Sequence, residues 1–327
     1  MTAGPASAGC GGALRWDVVG IVSAGEMGTA LGRSLRAAGL RVVTYLRGRS
    51  ERTQALAADA GMESLSELAD VLAEADLFLS LVPPAHALPL ARAVAGSLAE
   101  VTSPLLYADC NSIAPRTVDS IGGLITRAGA RFADVSIIGQ PPRLVDGRIA
   151  SGPRIYASGE GAEDFADLYK YGLDVHVLEG SQSRASSLKM CYAGLFKGLT
   201  ALSAELLAAS ELLEVREAVM AQLSATQPTL LGMMEKQVPA MPPKARRWVG
   251  EMEQMAITFA DVGLTPKTFQ GAAELFDLVG RTELGDEIIG NRRAGTSMEE
   301  VVDVIAETVR NGSALSSNAA SPESAAI

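Results

Sequence analysis

The stretch VGIVSAGEMGTALGRSL, Val19 to Leu35, constrains the fold more than any other part of the chain. An apolar run, Val19 to Val22, meets a turn of small residues at Ser23 to Gly25, and a helical pattern follows directly. A helix that starts without a bulky or capping side chain leaves its first amide groups bare, and bare amides at a helix N-terminus favour an anion. The spacing matches the dinucleotide fingerprint G-x-G-x-x-G, with Ser23 at the first glycine, Gly25 at the second and Gly28 at the third. There the middle glycine lets a pyrophosphate approach the backbone, and the last lets the helix pack on the strand. We expect a dinucleotide at Ser23, Gly25 and Gly28.

Sites that prefer NAD carry an acid about 20 residues further on, where it binds the ribose 2′-hydroxyl. This chain has Thr44-Tyr45-Leu46-Arg47 there, followed by Gly48-Arg49-Ser50. Arg47 and Arg49 offer planar multi-donor heads and Ser50 a hydroxyl, a set suited to a 2′-phosphate that an acid would repel. NADP(H) is therefore expected over NAD(H).

From Asp17 to about Gly180, short runs such as RVVTYL, DLFLSLV, LLYAD, RFADVSII, RIYASG and DVHVL alternate with helical patterns. That alternation predicts an α/β fold, a doubly wound and mostly parallel sheet covered on both faces. After Ser183 only helical patterns remain, at about 184–213, 215–234, 244–262, 266–279 and 298–310. We assign a Rossmann-type domain to 15–181, an all-α substrate and dimerisation domain to 182–312, and disordered tails to 1–14 and 313–327. The 327 residues suit two domains. A net charge of −10 argues against a nucleic-acid partner. Three widely spaced cysteines form no metal or disulfide pattern, no metal is expected, and the absence of a leader or membrane span suggests a cytoplasmic protein.

Gly25-Glu26-Met27-Gly28, the Leu81-Val82-Pro83-Pro84 strand end, Asp109-Cys110-Asn111-Ser112-Ile113-Ala114-Pro115 and the Lys189 segment occur in an order that resembles the β-hydroxyacid dehydrogenase family. The resemblance, to relatives of 6-phosphogluconate and 3-hydroxyisobutyrate dehydrogenases, runs from about Asp17 to Arg310. It is nearest to the branch whose helical domain has no settled function. It implies that Glu26, Met27, Val82, Pro83 and Asn111 lie along the cofactor, that Ser112 lies near the substrate, and that the helical half forms a homodimer.

Ala185 to Leu207 is apolar almost all round, so this helix should be largely buried. Its charges, Lys189, Lys197 and Glu205, are eight residues apart and cannot share one wet face, so at least one should point into a polar cavity or cleft. The resemblance implies that Lys189 is the catalytic lysine, and a lysine desolvated by burial suits the proton transfer that accompanies hydride transfer. The family asparagine four residues later is Ala193 here, with Tyr192 or Ser186 as replacements. The family carboxylate loop reads Asp134 to Gln140, with Ile138 in place of its serine and Gln140 in place of its second glycine, which departs from the family's carboxylate grip; Gly139 and Gln140 are expected near the substrate. A helical Lys-Asp pair of the family falls at Glu251-Met252, which removes a positive charge and suggests a less anionic substrate. His86 and His176 read as packing or surface residues, and Met233, Met234, Met252 and Met255 as core. The expected activity is an NADP-dependent hydroxyl–carbonyl oxidoreductase acting on a small hydroxy-acid-like substrate. The alternatives are an imine reductase, suggested by the Ile137 to Pro142 loop, and a non-catalytic NADP(H)-binding protein.

Overall fold

The structure is a computed structural model that describes residues 16–100, 104–288 and 291–312. The expected tails at 1–14 and 313–327, with Cys10, lie outside the described residues. The chain divides into two compact units, with the change along the chain at Ala185 and Ser186. Two short segments, Pro83–Ala85 and Ser112–Thr117, belong with the helical unit.

In chain order the first elements are β1 (Val18–Val22), α1 (Glu26–Ala37), β2 (Arg41–Tyr45), α2 (Glu51–Asp59), β3 (Glu63–Leu65), α3 (Leu68–Glu74), β4 (Leu77–Ser80) and α4 (Pro84–Ser97). Then come β5 (Leu106–Asp109), α5 (Pro115–Arg127), β6 (Arg131–Ile138), β7 (Arg143–Val145), β8 (Arg148–Ser151), β9 (Arg154–Ser158), α6 (Ala162–Ala166) and β10 (Asp174–Val177). Eight strands form one sheet in the order β10-β9-β6-β5-β4-β1-β2-β3. Its pairings are parallel except that of β6 with β9. The winding reverses at β1, between β2 and β4, and open α/β sheets bind ligands beyond the carboxyl ends of the strands at such a point.

The expected α/β architecture is present. Val19, Ile21, Leu77 and Leu79 are buried in its core, and Phe78, Tyr107 and Phe132 stack on neighbouring strands at 5.5 and 6.0 Å. Sequence periodicity missed β3, three residues long, and the β7–β8 hairpin. The hairpin signal was present: Asp146 and Gly147 take positive φ values of 50° and 72°, as a two-residue Asp-Gly turn requires.

The second unit holds α7 (Arg184–Leu212), α8 (Arg216–Thr226), α9 (Pro228–Ala240), α10 (Ala245–Asp261), α11 (Lys267–Arg281) and α12 (Met298–Arg310). The expected helix at 215–234 is two helices, because Pro228 has no amide to continue α8 and instead occupies the first turn of α9. Met190, Met234, Met252, Met255 and Phe276 lie in this unit's core. The expectation that Ala185 to Leu207 is largely buried is corrected by the structure. Leu195 is 68% and Leu202 60% exposed, and Tyr192, Phe196 and Leu206 also lie open on α7. A single chain has too few helices to surround α7, so one apolar stripe stays uncovered.

Candidate functional site

The first unit builds its part of the site at the end of β1. Gly25 is the N-cap of α1 and supplies no side chain, so no side-chain cap closes the helix start. The Gly25 carbonyl accepts from the Thr29 amide at 2.8 Å and from the Thr29 hydroxyl at 2.7 Å, so the first turn is held from its carbonyl side. A Cβ on Gly28 would lie 2.2 Å from the Ser23 carbonyl oxygen, whereas one on Gly25 would meet nothing within 4 Å. The two glycines thus have separate causes: Gly28 lets α1 press onto β1, and Gly25 leaves space over bare amides. That arrangement fits the pyrophosphate of a dinucleotide. Glu26 lies in the first turn of α1, and Met27 packs against the core.

At the end of β2 no acid is present. Arg47 pairs with Glu67 on the surface, Ser50 caps α2 by accepting from the Thr53 amide at 3.3 Å, and the Arg49 carbonyl accepts from Gln54 at 2.8 Å. Gly48 takes the left-handed φ of 73° that turns the chain between the two arginines.

Beyond β4 and β5 one buried side chain joins two loops. Asn111 accepts the Val82 amide at 2.7 Å and donates to Ser80 Oγ at 2.9 Å, while its own amide donates to Asp109 at 3.0 Å. Both ends of the Asn111 amide are engaged, so it fixes the loop that leads to Pro83. Ser80, Asp109, Asp134 and Ser158 stand in register across β4, β5, β6 and β9 as a buried polar row. Ser158 donates to the Gln182 carbonyl and accepts the Ala185 amide, each at 2.9 Å, anchoring the first turn of α7. Gly139 has φ 130° at the end of β6, and Gln140 after it is exposed.

The helical unit gathers a second set of groups on one carboxylate. Glu251 of α10 is 8% exposed and pairs with Lys197 of α7. Ser112 Oγ donates at 3.4 Å to the same oxygen, Oε2, that pairs with Lys197, and the other oxygen, Oε1, lies 3.5 Å from Nε of Arg247. Burial alone would push the Glu251 carboxyl up. The charge and hydrogen bond of Lys197, joined by the charges of Arg247 and Lys189, outweigh burial and hold it below the ordinary carboxylate range. The Ser112 segment lies along one face of α10: the Ala114 amide donates to Gln254 at 3.0 Å and Arg116 to Asp261 at 2.8 Å. Positions 251, 254 and 261 share that face by helical periodicity.

Lys189 is half-buried on α7, and its charge acts on Glu251. Ser186 is buried, while Tyr192 is 49% exposed and stacks on Phe196 at 5.1 Å. Lys197 answers the expectation that a lysine of this helix turns inward. Glu251 does not leave the site short of positive charge, as its sequence position suggested, because two cations meet it. Lys197, Arg247 and Gln254 were missed as site residues; the eight-residue offset of Lys197 from Lys189 was the available signal. His86 is exposed, and His176 pairs with Asp174 at 2.8 Å on the surface. Among the described residues no group of His, Cys, Asp and Glu could hold a metal, and no helix is long and apolar enough to cross a membrane.

Residues 18–159 match the NAD binding domain of 6-phosphogluconate dehydrogenase, and residues 211–279 match a domain of unknown function, DUF1932. A solved conserved protein of unknown function, described as structurally similar to 3-hydroxyacid dehydrogenases, is 32% identical. The match covers 80% of this chain and 96% of that one, with a TM-score of 0.60. The chain belongs to the β-hydroxyacid dehydrogenase family. An uncharacterized 28.5 kDa protein of Methanothermus fervidus is 27% identical over 206 residues, 61% of this chain and 76% of that protein. A Mycobacterium tuberculosis 3-hydroxyisobutyrate dehydrogenase shares the fold at 15% identity and a TM-score of 0.62, covering 88% of this chain and 99% of that one. As a family member the chain is a dehydrogenase or reductase that binds a pyridine nucleotide. Its helical region is of the DUF1932 type.

Proposed function

We propose that this protein is an NADP(H)-dependent oxidoreductase that interconverts a hydroxyl and a carbonyl on a small hydroxy-acid-like substrate, with Lys189 as the acid and base. The observation that carries the reading is the convergence of Ser112, Lys197 and the charge of Lys189 on buried Glu251. The bare N-terminus of α1 over Gly25 would hold the pyrophosphate, Val82 and Pro83 would flank the cofactor, and Arg47, Arg49 and Ser50 would meet the 2′-phosphate. The bound nucleotide supplies hydride transfer. Lys189 as the amine takes the hydroxyl proton while the carbon–oxygen single bond becomes a carbonyl, and as ammonium it returns that proton in reduction. Ser112 donates a hydrogen bond to the reacting oxygen or to its neighbour, with Gly139, Gln140 and Tyr192 bordering the substrate. Asn111 holds the loops that carry these groups.

The open stripe of Tyr192, Leu195, Phe196, Leu202 and Leu206 on α7 supports a homodimer through the helical unit. Cys110 and Cys191 as thiols suit a reducing cytoplasm.

Consumption of NADPH and of NADH, followed with panels of keto acids, hydroxy acids and cyclic imines, tests the reading. Turnover with carbonyl or hydroxyl substrates that vanishes in Lys189→Ala, while NADPH still binds, is the expected result. Full activity in that variant overturns the role of Lys189. Turnover of imines alone assigns the imine reductase, and NADPH binding without turnover of any substrate assigns the non-catalytic binding protein.

A further inference from the structure

Towards the C-terminal end of α7 the helical unit holds a cavity of about 350 Å³ between α7, α8 and α12, a size that suits a small molecule. Leu207, Met220, Met298 and Val302 make its floor, and all but Met220 are buried. Methionine side chains are unbranched and polarisable, so such a floor adapts to the shape of an apolar guest. The rim is charged. Arg216 is engaged by Glu211 at 3.4 Å and by Asp303, and Arg310 also meets Glu211 at 3.4 Å. Glu217 and Glu299 line the cavity as well, one from the first turn of α8 and the other from the first turn of α12. Both are exposed, and among the described residues neither has an ion-pair or hydrogen-bond partner for its side chain. The N-terminal ends of those two helices carry roughly half a positive charge each, and the carbonyl end of α7 about half a negative one. Two full carboxylate charges exceed that balance, so the mouth of the cavity is negative above an apolar floor.

We propose that this cavity is a binding site for a small organic cation, an ammonium group carried on an apolar body of a few carbons. The carbon body replaces water against Leu207, Met220, Met298 and Val302, and the ammonium lies at the rim, where Glu217 and Glu299 attract it and would repel a carboxylate. Leu207 lies 18 residues along α7 from Lys189, roughly 27 Å at about 1.5 Å per residue. A molecule of this size held there does not reach Lys189, so the cavity takes a second ligand and not the reacting group of the substrate. The site goes beyond the oxidoreductase reading and does not depend on it.

The two methionines of the floor report on the cavity. The full-length chain, labelled with carbon-13 at its methionine methyl groups and free of nucleotide, is titrated with n-hexylammonium chloride at neutral pH and constant ionic strength. Methyl resonances are followed by NMR, with Met220→Leu and Met298→Leu assigning the two signals. Hexanol and hexanoate, which keep the carbon body and change the head group, are titrated in parallel. Expected is a saturable shift of the Met220 and Met298 methyls with hexylammonium, while those of Met252 and Met255, buried on α10, do not move. Hexanol binds more weakly and hexanoate more weakly still. The double variant Glu217→Gln with Glu299→Gln raises the hexylammonium Kd about tenfold, the worth of two exposed charge contacts, and leaves that of hexanol unaltered. Glu235→Gln, exposed on α9, leaves both unchanged. No saturable shift, binding of hexanol or hexanoate as tight as that of hexylammonium, or an unaltered Kd in the double variant overturns the site. Shifts that follow protein concentration instead of hexylammonium assign this face to a second copy of the chain and overturn it too. The readout needs neither nucleotide nor turnover, so its failure and a failure of the oxidoreductase reading are separate results.

Discussion

The turn between β1 and α1 and the α7–α10 pair are two candidate functional surfaces made in opposite ways. The first is assembled by residues within ten positions of one another, using backbone amides and the absence of side chains at Gly25 and Gly28. The second joins Ser112, Lys197 and Glu251, which are separated by up to 139 positions, and it depends on side-chain charge held in a dry place. A backbone site tolerates change in the surrounding sequence but not an added Cβ. A charge site tolerates changes of shape but not the loss of one partner, because the other is then left buried without a counter-charge.

Substitutions can break this contrast, and their expected effects fall in the following order. Lys189→Ala should cut kcat about 10²–10⁴-fold, the usual worth of a positioned acid or base, with the Kd for NADPH unchanged; steady-state kinetics and nucleotide titration check it. Glu251→Gln should destabilise the chain by about 3–5 kcal/mol by leaving Lys197 unpaired, measured by denaturant unfolding. The paired change Glu251→Leu with Lys197→Met should recover most of that loss. The same carboxylate gives a pH signature. Its pKa is lowered on folding, so its contribution is present above the unfolded carboxylate value and is lost as pH falls below it toward the lowered folded value. Thermal melts should therefore show an acid-side loss of stability that is smaller in the double variant.

Gly28→Ala should cost roughly 1–3 kcal/mol, because its Cβ collides with the Ser23 carbonyl. Gly25→Ala should leave the melting temperature near that of the parent but weaken NADPH binding by about tenfold, through crowding of the phosphates alone. If both alanines destabilise equally, the separate causes assigned to the two glycines fail. Arg49→Ala is expected to weaken NADPH about tenfold and NADH hardly at all, the loss of one charged contact to the 2′-phosphate.

The parallel sheet, the strand–turn–helix at Gly25 and the helical second half were all legible, because each is written in local periodicity and small-residue turns. Short β3 and the break at Pro228 fell below the length at which periodicity speaks, and the β7–β8 hairpin was missed although Asp146-Gly147 is a hairpin-turn pair. Lys189 was singled out by family resemblance. Its neighbour Lys197 was visible only as a charge in an apolar helix, with nothing in the sequence to name its partner. Glu251, a different residue type from the family pair, suggested a loss of positive charge until folding placed two cations against it.

By itself, then, the sequence determined which segments are strands and helices and where a helix begins with bare amides, since both follow from side-chain size and spacing along neighbouring residues. Only the tertiary structure decided which charges meet and which apolar face of α7 stays open. Ion pairing and burial depend on distances between elements far apart in the chain, and a local pattern carries no record of those distances.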